Sequence, residues 1–179
     1  MTTTARLSLD QFLQIPEQEP ALEFASDGTI HEKMSPNTEH GALQAHLAHL
    51  LLSWIDVDPP QRRGYVYTEL RINVAGASKL PDVAFYCHKP RESARKHALE
   101  VADLVVEILS PRDDLEEQRA KCQWYVEHGA QVAMLVDPGQ RSVTRFDSIG
   151  QQVFSIRGTV GLLPGLELTL QDVFSVLDV

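Results

Sequence analysis

The chain contains only two cysteines, Cys87 and Cys122, and no long run of apolar residues. Two isolated cysteines form neither a disulfide framework nor the paired spacing of a zinc site, so we expect free thiols in a reducing compartment. No apolar segment approaches the roughly 20 residues that span a bilayer, and the first residues lack the apolar stretch of a signal peptide. These absences predict a cytoplasmic protein with no membrane partner.

Positive charge is also scarce in this sequence. The 16 lysines and arginines face 25 aspartates and glutamates, which gives a formal net charge of −9. Proteins that depend on nonspecific contacts with phosphates need clustered lysine and arginine. The overall charge argues against that class of protein, although a local basic patch can oppose the overall sign.

The length and apolar content are those of one ordinary domain. A chain of 179 residues with 43% hydrophobic residues can bury a substantial core. The sequence shows neither internal repeats nor a low-complexity linker. It therefore predicts a single domain over residues 1–179.

The periodicity of the apolar residues predicts an α/β or α+β fold, with a mixed central β-sheet flanked by helices. Helical spacing recurs in four segments, at residues 7–15, 38–54, 113–128 and 170–177. Strand patterns, including a hairpin at 22–34, cover residues 22–34, 65–74, 80–86, 103–109, 132–136, 142–146 and 152–156. The strand, helix and strand from 103 to 136 form one crossover unit, which predicts parallel pairing of its two strands.

Two acidic residues occupy unusual positions in these strands. Glu107 lies within the most apolar strand, where an ionised carboxylate is costly unless it is paired or binds a metal. The alternative is an exposed or salt-bridged glutamate at a strand end. Asp82 follows Pro81 in the preceding strand, where an ordinary turn aspartate is the alternative. Two carboxylates presented by neighbouring strands would suit a hard cation such as Mg²⁺ or Mn²⁺.

The segments that contain these residues also resemble a known group of enzymes. Residues 80–83 (Leu-Pro-Asp-Val) and 106–111 (Val-Glu-Ile-Leu-Ser-Pro) resemble the PD-(D/E)XK restriction-endonuclease-like superfamily, and within it the Uma2 family of endonucleases. The likeness extends from the early hairpin to residues 135–138 (Leu-Val-Asp-Pro) and 163–166 (Leu-Pro-Gly-Leu). The order and spacing of these segments are more specific than the Pro-Asp pair alone.

The resemblance implies a restriction-endonuclease-like core and metal-dependent hydrolysis of phosphodiester bonds, with DNA as the expected substrate. Asp82 and Glu107 would hold Mg²⁺ or Mn²⁺, and the backbone carbonyl of Ile108 would be a further ligand. A metal in such a site polarises the phosphate and lowers the pKa of the attacking water.

The chain departs from the superfamily pattern at Leu109, where a lysine is expected two residues after the glutamate. The resemblance implies a lysine supplied from elsewhere, and Lys121 is the candidate. The strand climbs about 3.3 Å per residue and the following helix descends about 1.5 Å per residue, which returns Lys121 to the level of Glu107. The alternative is a surface pair between Glu117 and Lys121, four residues apart on the helix.

A further acidic ligand could come from the helix at 38–54. Glu39 lies one turn before Leu43 and continues the apolar stripe of that helix, and related nucleases can draw a ligand from their first helix. An equally good interpretation is that Glu39 only interacts with the positive end of the helix dipole. Glu69, on the polar side of strand 65–74, is a weaker candidate.

One basic segment is a candidate for contact with nucleic acid. Residues 88–97 carry Lys89, Arg91, Arg95 and Lys96 and follow the strand that contains Asp82, so they could reach a phosphate backbone near the metal. A solvated loop is the alternative. Given the net charge of −9, we expect weak and salt-sensitive binding to DNA, helped by the metal and by formation of a homodimer.

These residues leave three functional interpretations open. The first is a Mg²⁺- or Mn²⁺-dependent endonuclease in which Asp82, Glu107 and Lys121 are catalytic. The second is a catalytically inactive nucleic-acid-binding or regulatory module of the same fold, which the acidic charge and Leu109 favour. The third is a metal-dependent hydrolase of a small phosphorylated substrate, although the sequence has no glycine-rich phosphate loop.

Overall fold

The computed structural model of the protein describes residues 7–33, 36–57, 63–155 and 157–178. Its helices are α1 (Leu9–Phe12), α2 (Thr38–Asp56), α3 (Leu115–Glu127) and α4 (Leu170–Phe174), followed by a 3₁₀ turn at Ser175–Leu177. Its strands are β1 (Leu22–Phe24), β2 (Ile30–Glu32), β3 (Tyr65–Thr68), β4 (Ile72–Val74), β5 (Ala77–Lys79), β6 (Val83–Tyr86), β7 (Leu104–Ile108), β8 (Val132–Asp137), β9 (Ser142–Asp147), β10 (Gly150–Ser155), β11 (Thr159–Leu163) and β12 (Leu166–Thr169).

A six-stranded mixed sheet forms the centre of the fold, in the order β10-β9-β8-β7-β6-β3. Only β7 and β8 run parallel, with Leu104 opposite Val132 and Ile108 opposite Val136, and the other neighbouring strands are antiparallel. Helix α3 makes the crossover between the two parallel strands, as the sequence predicts. The predicted fold class, with its mixed central sheet and flanking helices, is confirmed.

Helix α2 and helix α3 cover opposite faces of this sheet. Even-numbered residues of β7, such as Val106 and Ile108, pack with Leu43 and Leu47 of α2. The odd-numbered Val105 packs on the other face with Cys122 and Tyr125 of α3. Since side chains alternate along a strand, Glu107 shares the face that α3 covers.

The predicted strand 65–74 is wrong as one continuous strand, because the chain breaks after Thr68. Glu69 adopts a positive φ of 53°, which an extended strand cannot accommodate. The chain then leaves the central sheet, and β4 joins a small second sheet in the order β2-β1-β5-β4. Strand β5 begins between the predicted strands 65–74 and 80–86, so that Leu80, Pro81 and Asp82 connect the two sheets.

Other elements lie close to their predicted positions. Asn37 caps α2, its Oδ1 accepting from the backbone N–H of His40 at 2.8 Å, and the early hairpin turns through Gly28 at φ 90°. Helix α1 is shorter than predicted. The hairpin of β11 and β12, which the sequence did not reveal, packs with α2 and α4 on one face of the central sheet. The predicted hairpin ends at Met34 and the last predicted strand ends at Ile156, and both residues lie outside the described ranges.

In the described part of the chain, no helix has both the length and the apolar character needed to cross a membrane.

Candidate active site

Pairing of β6 with β7 brings Asp82 and Glu107 to the same end of the central sheet. Val83 lies opposite Val106, so the antiparallel register continues towards Asp82 and Glu107. The Asp82 side chain also ties the start of β6 to β7, because its Oδ2 accepts a 2.7 Å hydrogen bond from the backbone N–H of Ile108. Both carboxylates are buried, with 1% of Asp82 and 3% of Glu107 exposed.

Helix α3 places Lys121 directly against Glu107. The Lys121 Nζ lies 2.9 Å from Glu107 Oε1, and only 8% of its side chain is exposed. One turn later, the hydroxyl of Tyr125 donates a 2.9 Å hydrogen bond to the same Oε1. Lys121 is therefore buried beside Glu107, and the alternative of a surface pair with Glu117 is not what the structure contains. Leu109, at the usual lysine position, packs with the apolar cluster beneath α3.

A buried glutamate that the sequence analysis missed completes the surroundings of Lys121. Glu23 of β1 lies with its Oε1 2.7 Å from Lys121 Nζ, and the same oxygen accepts from the backbone N–H of Leu80 at 2.7 Å. Lys79 approaches its Oε2 at 3.9 Å. The local signal was a glutamate between Leu22 and Phe24 in a short strand, but its partners lie far away in sequence.

A second lysine that the sequence analysis missed lies against Asp82. Lys33, just after β2, has its Nζ 2.8 Å from Asp82 Oδ1 and 2.7 Å from Glu69 Oε2. It also donates to the carbonyl of Leu80 at 2.8 Å. Glu69 is thus near the cluster as a partner of Lys33, with 42% of its side chain exposed. Lys33 and Lys121 therefore each lie between two carboxylates of the site.

Helix α2 contributes His40 to the cluster and not the predicted Glu39. Glu39 is exposed, whereas His40 is buried. His40 Nε2 lies 3.1 Å from Asp82 Oδ1, and its Nδ1 lies 3.0 Å from Ser110 Oγ. The inward stripe of α2 runs through His40, Leu43, Leu47 and Leu51. The stripe therefore advances three residues from His40 to Leu43, whereas a spacing of four residues before Leu43 would have placed Glu39 on it.

Burial and the neighbouring lysines shift the pKa values of the buried carboxylates in opposite directions. Burial alone would raise the pKa of Asp82, but Lys33 and His40 outweigh it and hold that pKa well below its usual value. Burial raises the pKa of Glu107 to about 7, because Lys121 offsets the loss of solvent only in part and Asp82 adds repulsion. Burial would lower the pKa of Lys121, but Glu107 and Glu23 raise it above its ordinary value. Lys121 is consequently protonated at neutral pH.

The donor atoms in this cluster match those that a hard divalent cation prefers. Asp82, Glu107 and the carbonyl of Ile108 would offer only oxygen. Asp82 Oδ1 is buried and accepts no well-aligned hydrogen bond, although Lys33 Nζ lies 2.8 Å and His40 Nε2 lies 3.1 Å from it. Within the described ranges, no three histidine, cysteine or acidic side chains gather closely enough to hold a metal. A bound ion would therefore need the backbone carbonyl and ligands from water or substrate.

These residues open onto a cleft of about 380 Å³. Its walls include Glu23, Lys33, Asp82, Glu107 and Lys121. The cleft contains both signs of charge, because carboxylates and amino groups both line it. A phosphate entering it would meet the amino groups of Lys33, Lys79 and Lys121.

The predicted nucleic-acid-binding residues do not line this cleft. Lys89 and Lys96 both pair with Glu92, at 3.7 and 2.9 Å, and Arg91 pairs with Glu100 at 2.9 Å. Arg95 donates to the carbonyl of Leu13 and lines a neighbouring pocket that also reaches Lys33. These four side chains therefore lie outside the cleft, and acidic neighbours hold Lys89, Arg91 and Lys96 locally. Their contact with a phosphate backbone near the metal stays a prediction.

Comparisons with known proteins agree with this architecture. Residues 9–178 match the model of the Uma2 family, described as "Putative restriction endonuclease". The chain belongs to the Uma2 family. A solved structure from Anabaena variabilis, described as a "putative nuclease belonging to DUF820", has a TM-score of 0.85 and 28% identity, covering 96% of this chain and 99% of that one.

More distant comparisons add little to the Uma2 assignment. A chain of a DrdV–DNA complex matches with a TM-score of 0.39 and 13% identity, over 75% of this chain and 10% of that one, which is too weak to support an argument. Among curated proteins, none matches the sequence. The Uma2 model and the similar solved structure confirm the resemblance drawn from the sequence, and they make nuclease the coarse functional class of this chain.

Proposed function

We propose that this Uma2 member is a Mg²⁺- or Mn²⁺-dependent endonuclease that hydrolyses phosphodiester bonds of DNA in the cleft at Asp82 and Glu107. The observation that carries the proposal is the position of Lys121, 2.9 Å from Glu107, although it is distant from the usual lysine position in sequence. Two carboxylates and one lysine are thereby gathered at one cleft. This is the arrangement that the superfamily resemblance implies for catalysis.

In this proposal, Asp82, Glu107 and the carbonyl of Ile108 hold the metal. A divalent ion bound there would polarise the phosphate and lower the pKa of the attacking water. Lys121 is protonated, since two buried carboxylates raise its pKa. It therefore acts as a hydrogen-bond donor that orients water or stabilises negative charge on the phosphate, and not as a general base.

The proposed substrate contacts outside the cleft are weak. Lys89, Arg91 and Lys96 are highly exposed but already have acidic partners. Each could contact a phosphate only by exchanging that partner. We therefore assign to them a minor and salt-sensitive share of DNA binding. The homodimer stays a prediction, which light scattering coupled to gel filtration would test.

Nicking of supercoiled plasmid DNA in Mn²⁺, in Mg²⁺ and in EDTA tests the proposal. We expect cleavage by the unmodified chain only with metal, and loss of cleavage in Asp82→Asn, Glu107→Gln and Lys121→Met. Glu116→Gln is the matched control, because Glu116 is an exposed carboxylate that pairs with Arg119. Each variant is first shown to be folded by circular dichroism and thermal unfolding.

The same experiment separates the active enzyme from an inactive module of the same fold. Full cleavage by the folded Asp82→Asn variant would contradict the proposed site. Absence of cleavage by the unmodified chain, together with no Mn²⁺ binding by calorimetry, would favour the inactive module.

A further inference from the structure

We propose that Lys33 occupies the metal-binding oxygen of Asp82 in the metal-free protein and exchanges with the ion, while Glu69 retains the displaced amino group. This inference rests on the proposed metal site and adds a residue that sets its affinity. The Lys33 Nζ lies 2.8 Å from Asp82 Oδ1, the oxygen that accepts no well-aligned hydrogen bond. The other oxygen of Asp82 is already fixed by the backbone N–H of Ile108. A cation must therefore compete with Lys33 for Oδ1.

The amino group and a divalent ion cannot both lie in contact with that oxygen. Two cations at contact distance repel strongly in a cleft that is shielded from solvent. Lys33 is well shielded, since only 13% of its side chain is exposed. If the amino group of Lys33 left Asp82, it would have no counterion unless another carboxylate lay nearby.

Glu69 supplies that carboxylate without any rearrangement of the backbone. Its Oε2 lies 2.7 Å from Lys33 Nζ, and the side chain of Gln44 holds its Oε1 at 2.9 Å. Gln44 also donates to the carbonyl of Asp82 at 2.9 Å, which ties Glu69 to the site. The positive φ of Glu69 breaks strand β3 at this point and turns its side chain towards Lys33.

Lys121 has a parallel arrangement on the other carboxylate. It lies between Glu107, a proposed ligand, and Glu23, which is held by Leu80 and Lys79. Each lysine thus pairs with one carboxylate that would bind the ion and one that would not. Metal loading would shift both amino groups towards their second partners and leave them in the cleft, where they can face a phosphate.

Calorimetric titration with Mn²⁺ alone, without DNA, tests the role of Lys33. We expect Lys33→Met to bind Mn²⁺ about tenfold more tightly than the unmodified protein, because the competing charge is gone. Lys79→Met is the matched control, since Lys79 is 12% exposed and lines the same cleft but contacts Glu23 and not Asp82. It removes the same charge from the cleft and should change the affinity by less than about threefold.

A second variant tests Glu69 as the alternative partner of Lys33, and it leaves the contact between Lys33 and Asp82 in place. We expect Glu69→Gln to weaken Mn²⁺ binding several-fold, because Lys33 then has only Asp82 as a counterion. Glu69 is half-exposed, so this variant should fold normally. The rise in melting temperature on adding Mn²⁺ should follow the same order, largest in Lys33→Met and smallest in Glu69→Gln.

The outcomes distinguish failure of this inference from failure of the metal site. Mn²⁺ binding of equal or lower affinity in folded Lys33→Met, with Glu69→Gln unchanged, would overturn the exchange and leave the metal site standing. The exchange would also be overturned by an equal gain in Lys33→Met and Lys79→Met, which would show a general effect of charge. No Mn²⁺ binding by the unmodified protein, Lys33→Met or Lys79→Met would overturn both the exchange and the proposed function.

Discussion

The ammonium group of Lys121 lies 2.9 Å from Oε1 of Glu107, and both side chains are buried. The lysine, which also lies 2.7 Å from Glu23, offsets the cost of burying this glutamate only in part, and Asp82 adds repulsion. Burial still raises the pKa of Glu107 to about 7. The pair therefore links stability to pH in the range where nucleases are assayed.

Glu107→Gln should flatten the dependence of stability on pH between about 4.5 and 7. The pKa of Glu107 is raised by folding from 4.5 to about 7, so its favourable contribution is complete below pH 4.5 and is lost as the pH rises through 7. The neutral glutamine keeps the same shape and does not titrate. Urea unfolding of both proteins at several pH values measures the difference. An identical loss of stability in both proteins over this range would contradict the raised pKa.

Tyr125→Phe should lower both stability and cleavage, because it removes the hydroxyl that donates to Glu107 at 2.9 Å. We expect a loss of about 1.5 kcal/mol, typical of a buried hydrogen bond to a charged group. Tyr86→Phe is the matched control, since the hydroxyl of Tyr86 donates to the carbonyl of Glu100 at 3.1 Å, away from the cleft. It should lose stability without a change in cleavage. Equal activity of the two variants would argue against a role for Tyr125 in positioning Glu107.

Glu23→Gln should destabilise the protein by about 3 kcal/mol, because it leaves Lys121 with one of its two buried partners. The glutamine oxygen can still accept from the backbone of Leu80, so the loss reports mainly on charge. Urea unfolding of Glu23→Gln, Lys121→Met and the double variant forms a cycle, in which we expect a coupling of about 1–3 kcal/mol. A coupling near zero would show that Glu23 does not stabilise the buried lysine.

Glu39→Gln should leave Mn²⁺ affinity unchanged, although Glu39 was one candidate ligand in the sequence. Glu39 is exposed on α2, and the inward residue of that turn is His40. His40→Ala should instead alter the affinity several-fold, because its Nε2 lies 3.1 Å from Asp82 Oδ1. Calorimetry on both variants measures the contrast. A large loss of affinity in Glu39→Gln alone would instead support Glu39 as a ligand.

Elements whose patterns are local could be predicted from the amino-acid sequence alone. The apolar run around Glu107 predicts a strand buried on both faces, and the following helix predicts the parallel crossover that β7 and β8 form. The rise of strand and helix per residue, together with the resemblance, was enough to select Lys121, since strand and helix are consecutive in the chain. The family, the fold class and the proposed pair of carboxylates follow from short segments with specific spacing.

The other charges that join this pair come from segments that meet only when the chain folds. Glu23 and Lys33 lie on a hairpin far from Asp82 in sequence, and they reach the cleft because the small sheet folds against the end of the central one. Whether Glu39 or His40 faces the core depends on whether the buried residue before Leu43 lies four or three positions earlier, and the packing of α2 sets that spacing. Charges paired across such distances leave no periodic signal. Their positions follow from the cost of burying each charge without a partner, and that cost exists only in the folded chain.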